Sequence, residues 1–218
     1  MFKRRNILKI AIDSPAAAGA GTQAKLISKH YKLLQLDTGR VYRYLANIKI
    51  IEPKKYNYRY LKNRIKKLKV KDLENKKLLS DKVATVASQI AKKRNIRKLV
   101  HSFQLKCAYN PPKKYKGSCL DGRDIWSVIV PDADIKLFIT ANLKTRAIRR
   151  YKELKLKNNK ISINEVLKSI KKRDKSDINR KISPLKKTDD SILINTTNLS
   201  IRRCFLKIKK IIDRKINT

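Results

Sequence analysis

A glycine-spaced turn near the start of the chain has the composition of a phosphate-binding loop. Residues 9–26 read KIAIDSPAAAGAGTQAKL, an apolar run that leads through small residues into a helical pattern. Backbone N–H groups at the start of a helix bind phosphate oxygens when glycines let the chain come close. The stretch therefore predicts a phosphate site, although an ordinary turn of small residues has the same composition.

The loop departs from the usual pattern at two positions. Loops of the form G-x-x-x-x-G-K-[ST], or a near variant with a glycine after the lysine, place that lysine on the β- and γ-phosphates. Gly19, Gly21 and Thr22 stand where such a loop needs them, but Ser14 replaces the first glycine and Ala20 replaces the lysine. Removing one preorganised donor aimed at developing charge typically costs about 10²–10³ in rate. An active site built on this loop therefore needs a substitute for the ammonium.

Four further stretches carry the other chemistry-bearing residues. They are LDTGRVYR at 36–43, LDGRDIWSVIVPDADIKLFITA at 120–141, TRAIRRYKEL at 145–154 and IKKRDKSDINRKISPL at 170–185. In this order, and together with IAIDSPAAAGAGTQAK, they closely resemble the bacterial cytidylate kinase family of nucleoside monophosphate kinases. The resemblance runs from about residue 7 to 210. The family's middle segment is longer than residues 48–80, so the monophosphate-binding lobe looks trimmed.

The resemblance implies transfer of the γ-phosphoryl of ATP to CMP or dCMP, with Mg²⁺. The attacking phosphate oxygen is already ionised at pH 7, so no general base is required. The physical problem is to hold two polyanions in line in a dry site. The resemblance assigns this catalytic work to the arginines Arg43, Arg123, Arg173 and Arg180.

The same resemblance implies where the nucleotides bind. The ATP phosphates and base would contact Ser14, Ala16, Ala17, Ala18, Gly19, Ala20, Gly21, Thr22 and Arg149. Thr22 and Asp121 would hold the metal. The monophosphate would contact Asp37, Thr38, Arg43, Ser88, Arg97, Asp124, Arg173, Asp177 and Arg180. Among these, Ser88, Arg97 and Asp124 match the family's cytosine readers, and a carboxylate suits the N4 amino group, which uracil lacks.

Each assignment has a purely structural alternative. Asp37 and Asp121 at strand ends could cap turns, and the arginines of the last motif could form a solvated, salt-bridged helix face. Ser88 could be a small buried helix residue. The ring of Trp126, which stands where the family usually has glycine, could pack in the core or lean on a nucleotide.

Two explanations of Ala20 remain open. In the first, a cation from elsewhere, Lys25 or a lid arginine, replaces the ammonium. In the second, the site is a relic that binds nucleotide or nucleic acid without efficient turnover. A relic would be expected to decay at its other substrate positions, and these look intact, so we favour an active kinase.

The apolar pattern predicts an α/β fold with five strands. Short apolar runs indicate strands at 7–12, 33–36, 118–120, 135–140 and 192–194. Helical spacing indicates helices at 22–31, 58–69, 82–93, 95–108, 143–157, 163–174 and 200–213. Strands that alternate with helices favour a parallel sheet covered on both faces, as in P-loop NTPases.

The chain is expected to form a single nucleoside monophosphate kinase domain over 1–218. Its core would comprise 1–39, 117–145 and 186–218. Residues of about 40–116 would form the monophosphate-binding lobe, and about 146–185 the lid.

The net charge is extreme. Lys and Arg number 57 against 17 Asp and Glu, a formal charge of +40 over 218 residues. Such a charge favours polyanion partners, including nonspecific binding to nucleic acid. Lysine is spread along the whole chain, however, and this favours a compositional origin. A nucleic-acid-binding protein on a kinase scaffold is therefore the rival interpretation.

The remaining composition excludes several classes. The three cysteines are too widely spaced for a disulfide framework or a zinc site. No apolar run is long enough for a membrane span. We expect a cytoplasmic monomer that binds ATP, CMP and dCMP and no membrane.

Overall fold

The computed structural model describes residues 7–156 and 161–217. The predicted core residues 1–6 and 218, and the predicted lid residues 157–160, lie outside the described residues. Within those ranges, none of the helices is long and apolar enough to cross a membrane.

Five parallel strands form one sheet. They are β1 (Leu8–Asp13), β2 (Leu33–Asp37), β3 (Gly117–Gly122), β4 (Ile135–Thr140) and β5 (Ile192–Asn195), in the order β2-β3-β1-β4-β5. All five predicted strands are confirmed, each within one to two residues at its ends. Short apolar runs mark the central strands β1 and β3 because these are mostly buried, whereas the edge strand β5 is apolar but largely exposed.

Within residues 7–156 and 161–217, eight α-helices surround the sheet. They are α1 (Ala20–Tyr31), α2 (Thr38–Ile51), α3 (Tyr58–Lys67), α4 (Asp81–Ile90), α5 (Arg94–Tyr109), α6 (Leu143–Lys155), α7 (Ile163–Asn179) and α8 (Ile201–Ile216). Seven match predicted helices. The sequence did not predict α2, which follows β2 without a linker because the Asp37 side chain caps it by accepting from Arg40 N–H.

Helices cover both faces of the sheet. On one face, α1 and α8 bury Ile27, Ile208 and Ile212 against alternate residues of β1, β3 and β4. On the other face, α2, α4 and α5 bury a larger core that includes Leu45, Ile90 and Val100. This arrangement is that of an α/β protein with a doubly covered parallel sheet.

Two appended regions frame the carboxyl ends of the strands. Residues between α2 and α4 form α3 and three short 3₁₀ turns at Pro53–Lys55, Val70–Glu74 and Lys76–Leu79. Helices α6 and α7 pack through a small cluster of Ala147, Val166 and Ile170 that also includes Ala16 of the loop after β1. The division into core, lobe and lid stays a prediction.

Candidate active site

The loop after β1 is shaped as a phosphate loop. Gly19 has a left-handed backbone (φ 94°) and immediately precedes α1. Ala17 is also left-handed (φ 59°), which is uncommon for a residue with a Cβ atom. No side chain caps the start of α1, so its first N–H groups and the helix dipole are available to an anion.

Ala20 removes the expected cation from this loop. Its methyl group is buried with the apolar residues under the sheet face that α1 covers. Gly21 and Thr22, the next two residues, are exposed at the helix start. Lys25 is exposed one turn further along the same helix.

Helices α6 and α7, which the sequence analysis predicts as part of a lid, are hydrogen-bonded directly to the loop. The Asp174 carboxylate accepts from Ala16 N–H (3.1 Å) and from Arg146 Nη1 (2.6 Å), and Arg146 Nη1 also donates to the Ala16 carbonyl (3.0 Å). A second set of contacts joins Arg149 to the loop. Arg149 donates to the hydroxyl and carbonyl of Thr196, and the Thr196 hydroxyl donates to the Ala18 carbonyl (3.0 Å).

Two carboxylates meet at the carboxyl edge of the sheet. Asp37 ends β2, and Asp121 lies opposite it in β3. An atom at the Cβ position of Gly21 would lie 3.6 Å from Asp121 Oδ2, so this carboxylate faces the start of α1. Burial, and then the negative charge of Asp37, raises the pKa of Asp121 well above its usual range. Neighbouring carboxylates of this kind are suited to hold a divalent cation.

Gly122 permits the close approach that this edge requires. A Cβ atom there would lie 2.4 Å from Thr38 Oγ1 and 2.8 Å from the Ile125 side chain. Because the position has no side chain, the Thr38 hydroxyl donates to the Asp121 carbonyl (2.9 Å). The first residue of α2 is thereby held to the end of β3.

Three arginines surround the carboxylate of Asp177 in α7. Arg123 Nε donates to its carboxylate (2.8 Å), and guanidinium nitrogens of Arg173 and Arg180 lie 3.9 and 3.7 Å away. Burial alone would raise the pKa of Asp177, but Arg123 and Arg173 outweigh it and lower the pKa. Desolvation, together with the charges of Arg123 and Arg43, lowers the pKa of Arg173 to about 10. The cleft thus holds more positive charge than Asp177 balances, as a site for phosphates requires.

Asp124 is the second acidic centre of the cleft. Its carboxylate accepts a short hydrogen bond from Arg97, and Arg180 Nη2 lies 3.6 Å from its other oxygen. The Arg97 guanidinium also lies over the Tyr42 ring, 5.7 Å from the centroid. Both side chains of the Arg97–Asp124 pair are nearly buried. Tyr42 of α2, Arg97 of α5 and Arg180 at the end of α7 are therefore brought together around Asp124.

Arg43 and Ser88 line the lobe side. Arg43 Nη1 donates to the Leu78 carbonyl (2.8 Å) in the last of the three short turns. Ser88 lies half-buried on α4, which packs against α2. Trp126 is 3% exposed and packs edge-on against Phe138, with ring centroids 6.2 Å apart. The structure therefore favours the packing interpretation for Trp126.

The fold brings most predicted residues to one cleft and adds several that the sequence analysis missed. Asp13, Arg40, Asp174 and Thr196 were not predicted. Asp174 and Arg40 each lie three residues before a predicted site residue on the same helix, Asp177 and Arg43, and that spacing could have indicated them. Nothing in the sequence indicated Thr196, which reaches the loop from the turn after β5.

Asp13 is the most deeply buried of the missed residues. Both its carboxylate oxygens accept from the Ile125 N–H (3.0 and 2.9 Å), and the side chain is 0% exposed. Burial raises its pKa to about 8. It anchors the single π-helical turn Ile125–Ile129, which follows the Asp121–Asp124 motif.

The residues at the site fit a magnesium ion. Mg²⁺ keeps several waters and is bound through one or two carboxylates together with substrate phosphates. Asp121 and Thr22 supply a carboxylate and a hydroxyl near the start of α1. In the part of the chain that the structure describes, no group of three or more His, Cys, Asp or Glu side chains could hold a metal by itself. The donor set therefore suits a metal that arrives with a nucleotide.

A phosphate loop at the first strand of a parallel sheet, with a lid and an arginine-lined cleft at the strand ends, defines a P-loop phosphotransferase of the nucleotide kinase class. The cytidylate kinase family model matches residues 10–214. The chain belongs to the cytidylate kinase family.

Named relatives support this membership. The chain is 40% identical to the cytidylate kinase of Bartonella tribocorum, with 94% of each chain covered. It is also 40% identical to that of Clostridium tetani, with 95% of this chain and 94% of the relative covered. An uncharacterized protein from Eubacterium ventriosum, 17% identical in sequence, has a similar fold, with a TM-score of 0.51 over 94% of this chain and 98% of that one.

Proposed function

We propose that this chain transfers the γ-phosphoryl group of ATP to CMP or dCMP, yielding ADP and CDP or dCDP. The observation that carries the proposal is the convergence of Arg123, Arg173 and Arg180 on Asp177 beside the phosphate loop. Such a cluster counters the mutual repulsion of a donor and an acceptor phosphate. Membership in the cytidylate kinase family supports the choice of nucleotide.

The loop and the lid would bind the donor. N–H groups of the loop and the first turn of α1 would receive the phosphates of ATP. Arg149 would bind ATP next to Thr196 and Ala18. The metal, held by Thr22 and Asp121, supplies electrostatic stabilisation of charge on the β- and γ-phosphates when it is bound.

The acceptor would lie between the lobe and the lid. Arg43, Arg173 and Arg180 would bind its phosphate, while Asp37, Thr38 and Asp177 would contact the sugar. Asp124, Arg97 and Ser88 would read the base. Asp124 can accept from the cytosine N4 amino group but has no favourable contact with the uracil carbonyl.

Catalysis would consist of positioning and charge stabilisation. The acceptor oxygen attacks the γ-phosphorus while the bond to the β-phosphate oxygen breaks, and no protein group needs to remove a proton. The arginines hold both nucleotides in line and exclude water. Arg123, Arg173 and Arg180 would be catalytic because the charge they stabilise grows during transfer.

A coupled ADP-release assay with CMP, dCMP, UMP and AMP tests this function. We expect kcat/KM for CMP or dCMP to exceed that for UMP and AMP. A matched assay without any monophosphate measures ATP hydrolysis alone. Faster turnover with UMP or AMP than with CMP would refute the specificity, and nucleotide binding without ADP release would identify the site as a relic.

A further inference from the structure

We infer that Arg40 supplies the positive charge that the phosphate loop lacks, acting on the donor phosphates from the acceptor side of the cleft. This inference rests on the proposed function. It identifies a residue outside the predicted site as the functional replacement for the lysine absent at Ala20.

The first observation is the position of the Arg40 guanidinium. Arg40 lies in the first turn of α2, and its Nε donates to Asp37 Oδ2 (3.3 Å). Its Nη1 donates to the Leu73 carbonyl (2.9 Å), which fixes the group from the lobe side. The side chain keeps 30% of its surface exposed, and Nη2 has no hydrogen-bond partner within residues 7–156 and 161–217. The group is thus oriented and still able to bind an anion.

The second observation is what lies next to that group. Asp37 and Asp121 are opposed across β2 and β3, and Asp121 faces Gly21 at the start of α1. The charge of Arg40 also acts on Asp121, whose pKa it lowers against the larger effect of burial. Arg40 therefore lies on one side of the Asp37–Asp121 pair. The start of α1, which would bind the donor phosphates, lies on the other side.

A charge count gives the physical reason that a cation is needed here. With the metal bound, both carboxylates are ionised, and their two negative charges offset those of one divalent ion. The three arginines that surround Asp177 direct their surplus charge toward the acceptor phosphate. At the start of α1, the donor phosphates would then meet carboxylates and a metal whose charges cancel. In a loop with a lysine, the ammonium supplies the surplus. Arg40 provides the same surplus of one charge from a partly exposed position.

The other candidate cations fit less well. Arg146 is buried and committed to Asp174 and two carbonyl groups. Arg149 lies at the loop, with Nη1 3.9 Å from the position that a Cβ atom on Gly19 would take, but both its Nη atoms already donate to Thr196. Lys25 is exposed on α1, and no contact directs its ammonium group toward the cleft among the residues described.

A double-mutant cycle tests the inference. We expect Arg40→Met to lower kcat about 10²-fold, by comparison with the loss of other preorganised donors. Adding Ala20→Lys to Arg40→Met should restore at least about 10-fold of this loss. The factor by which Ala20→Lys raises kcat should be at least ten times smaller in the chain that keeps Arg40 than in Arg40→Met, because Arg40 already provides the charge.

The Arg40→Lys variant distinguishes the effect of the positive charge at position 40 from the effect of the hydrogen bonds that Arg40 donates to Asp37 and Leu73. This variant keeps the charge but cannot donate to Asp37 and Leu73 in the same forked geometry. We expect it to retain kcat within about 10-fold of the unchanged chain. If Arg40 only holds the lobe, Arg40→Lys should fail as Arg40→Met does, and Ala20→Lys should restore neither. That result would overturn the inference.

ATP affinity provides a readout other than activity. Calorimetric titration with ATP in EDTA, without metal or CMP, should show weaker binding to Arg40→Met and recovery on adding Ala20→Lys. Melting curves establish that each variant is folded, and Arg40→Gln replaces Arg40→Met if the latter is not. Lys25→Met is the matched control, and we expect it to leave kcat and ATP affinity unchanged. If kcat and ATP affinity fall in Lys25→Met or Arg149→Gln rather than in Arg40→Met, and recover there on adding Ala20→Lys, Arg40 does not replace the missing lysine.

These outcomes can be distinguished from failure of the proposed function. An unchanged chain that releases no ADP with any monophosphate would refute the kinase activity. The ATP titrations would still show whether Arg40 and a lysine at position 20 substitute for one another. Normal kinase activity with no coupling between the two positions would refute the inference alone.

Discussion

Two nearly buried carboxylates, Asp177 and Asp124, hold the arginines of this cleft in place, because each is shared by more than one guanidinium group. Asp177 contacts three guanidinium groups and Asp124 contacts two. A buried charge of this kind is tolerated only when it is paired, so removing it affects both binding and stability. Asp13 differs, since its buried carboxylate is hydrogen-bonded by backbone N–H groups and not by a guanidinium group among the residues that the structure describes.

Asp124→Asn should reduce the preference for cytosine. We expect kcat/KM for CMP to fall about 10–10²-fold, and that for UMP to fall less, because the amide replaces an acceptor of the N4 amino group with a mixed donor and acceptor. Competitive turnover of CMP and UMP measures the ratio. Asp132→Asn, an exposed change that contacts only Tyr109, is the control. An unchanged ratio would show that Asp124 does not read the base.

Asp13 should make the protein less stable as pH rises. Its pKa is about 8 in the folded chain against a usual value of 3.8, so the unfolded chain ionises first. The free energy of unfolding therefore falls between about pH 4 and 8, by up to about 1.4 kcal/mol per pH unit. Urea unfolding at several pH values should show that Asp13→Asn reduces this slope, whereas exposed Asp189→Asn leaves it unchanged. Equal slopes in both variants would contradict the prediction.

At the scale of elements, the site depends on how helices from distant parts of the chain meet the sheet edge. The loop after β1 is held by α6 and α7 through Arg146 and Asp174, and by the turn after β5 through Thr196. The start of α2 is held to β3 through Thr38. The phosphate loop is thus positioned from three sides.

The Arg146–Asp174 pair should be essential to the docking of the lid. Asp174→Ala leaves a buried guanidinium beside carbonyl groups alone, and we expect it to lower the free energy of unfolding by about 3–5 kcal/mol. The double variant Arg146→Met with Asp174→Ala should be less destabilised than Asp174→Ala, since no unpaired charge remains. Urea unfolding of both measures the difference.

An exposed pair on the same helix provides the control for that prediction. Arg150 and Glu153 lie at positions i and i+3 of α6, and Glu153 is well exposed. Glu153→Ala should cost at most about 1 kcal/mol. If Asp174→Ala costs no more than Glu153→Ala, the lid does not depend on the buried pair.

For the whole molecule, the charge of +40 sets how the protein behaves toward polyanions. Lysines and arginines occur in every α-helix of the part of the chain that the structure describes. A field of this kind attracts nucleotides and nucleic acids alike and is screened by salt.

Binding of single-stranded RNA should therefore be weak and strongly dependent on salt. We expect affinity to fall at least about 300-fold between 50 and 200 mM salt if six or more phosphates are contacted. Kinase activity over the same range should change far less, because its ion pairs lie in a buried cleft. Fluorescence anisotropy with a labelled oligonucleotide and the ADP-release assay measure the two effects. RNA binding that persists at 200 mM salt, with no ADP release, would favour the rival interpretation.

Local apolar runs were sufficient to predict the five strands. For residues 14–22 the local pattern left an ordinary turn of small residues open beside a phosphate loop, and the resemblance to the family favoured the loop. The helix α2 escaped prediction because its cap, Asp37, is also the last residue of β2. The resemblance to the family supplied the roles of Arg97, Asp124 and Asp177, which no local pattern distinguishes from a charged surface.

The sequence by itself determined the order of elements, the family and the absence of a lysine from the loop, because each of these depends on residues close together in the chain. Only the tertiary structure decided which distant groups meet. It placed Asp174 and Thr196 on the loop, buried Asp13 under Ile125, and brought Arg40 to the Leu73 carbonyl. Such contacts follow from the packing of helices on a sheet, and their partners are separated by tens to more than a hundred residues. Whether a charge at such a place is paired, buried or open to a phosphate is therefore a property of the folded chain.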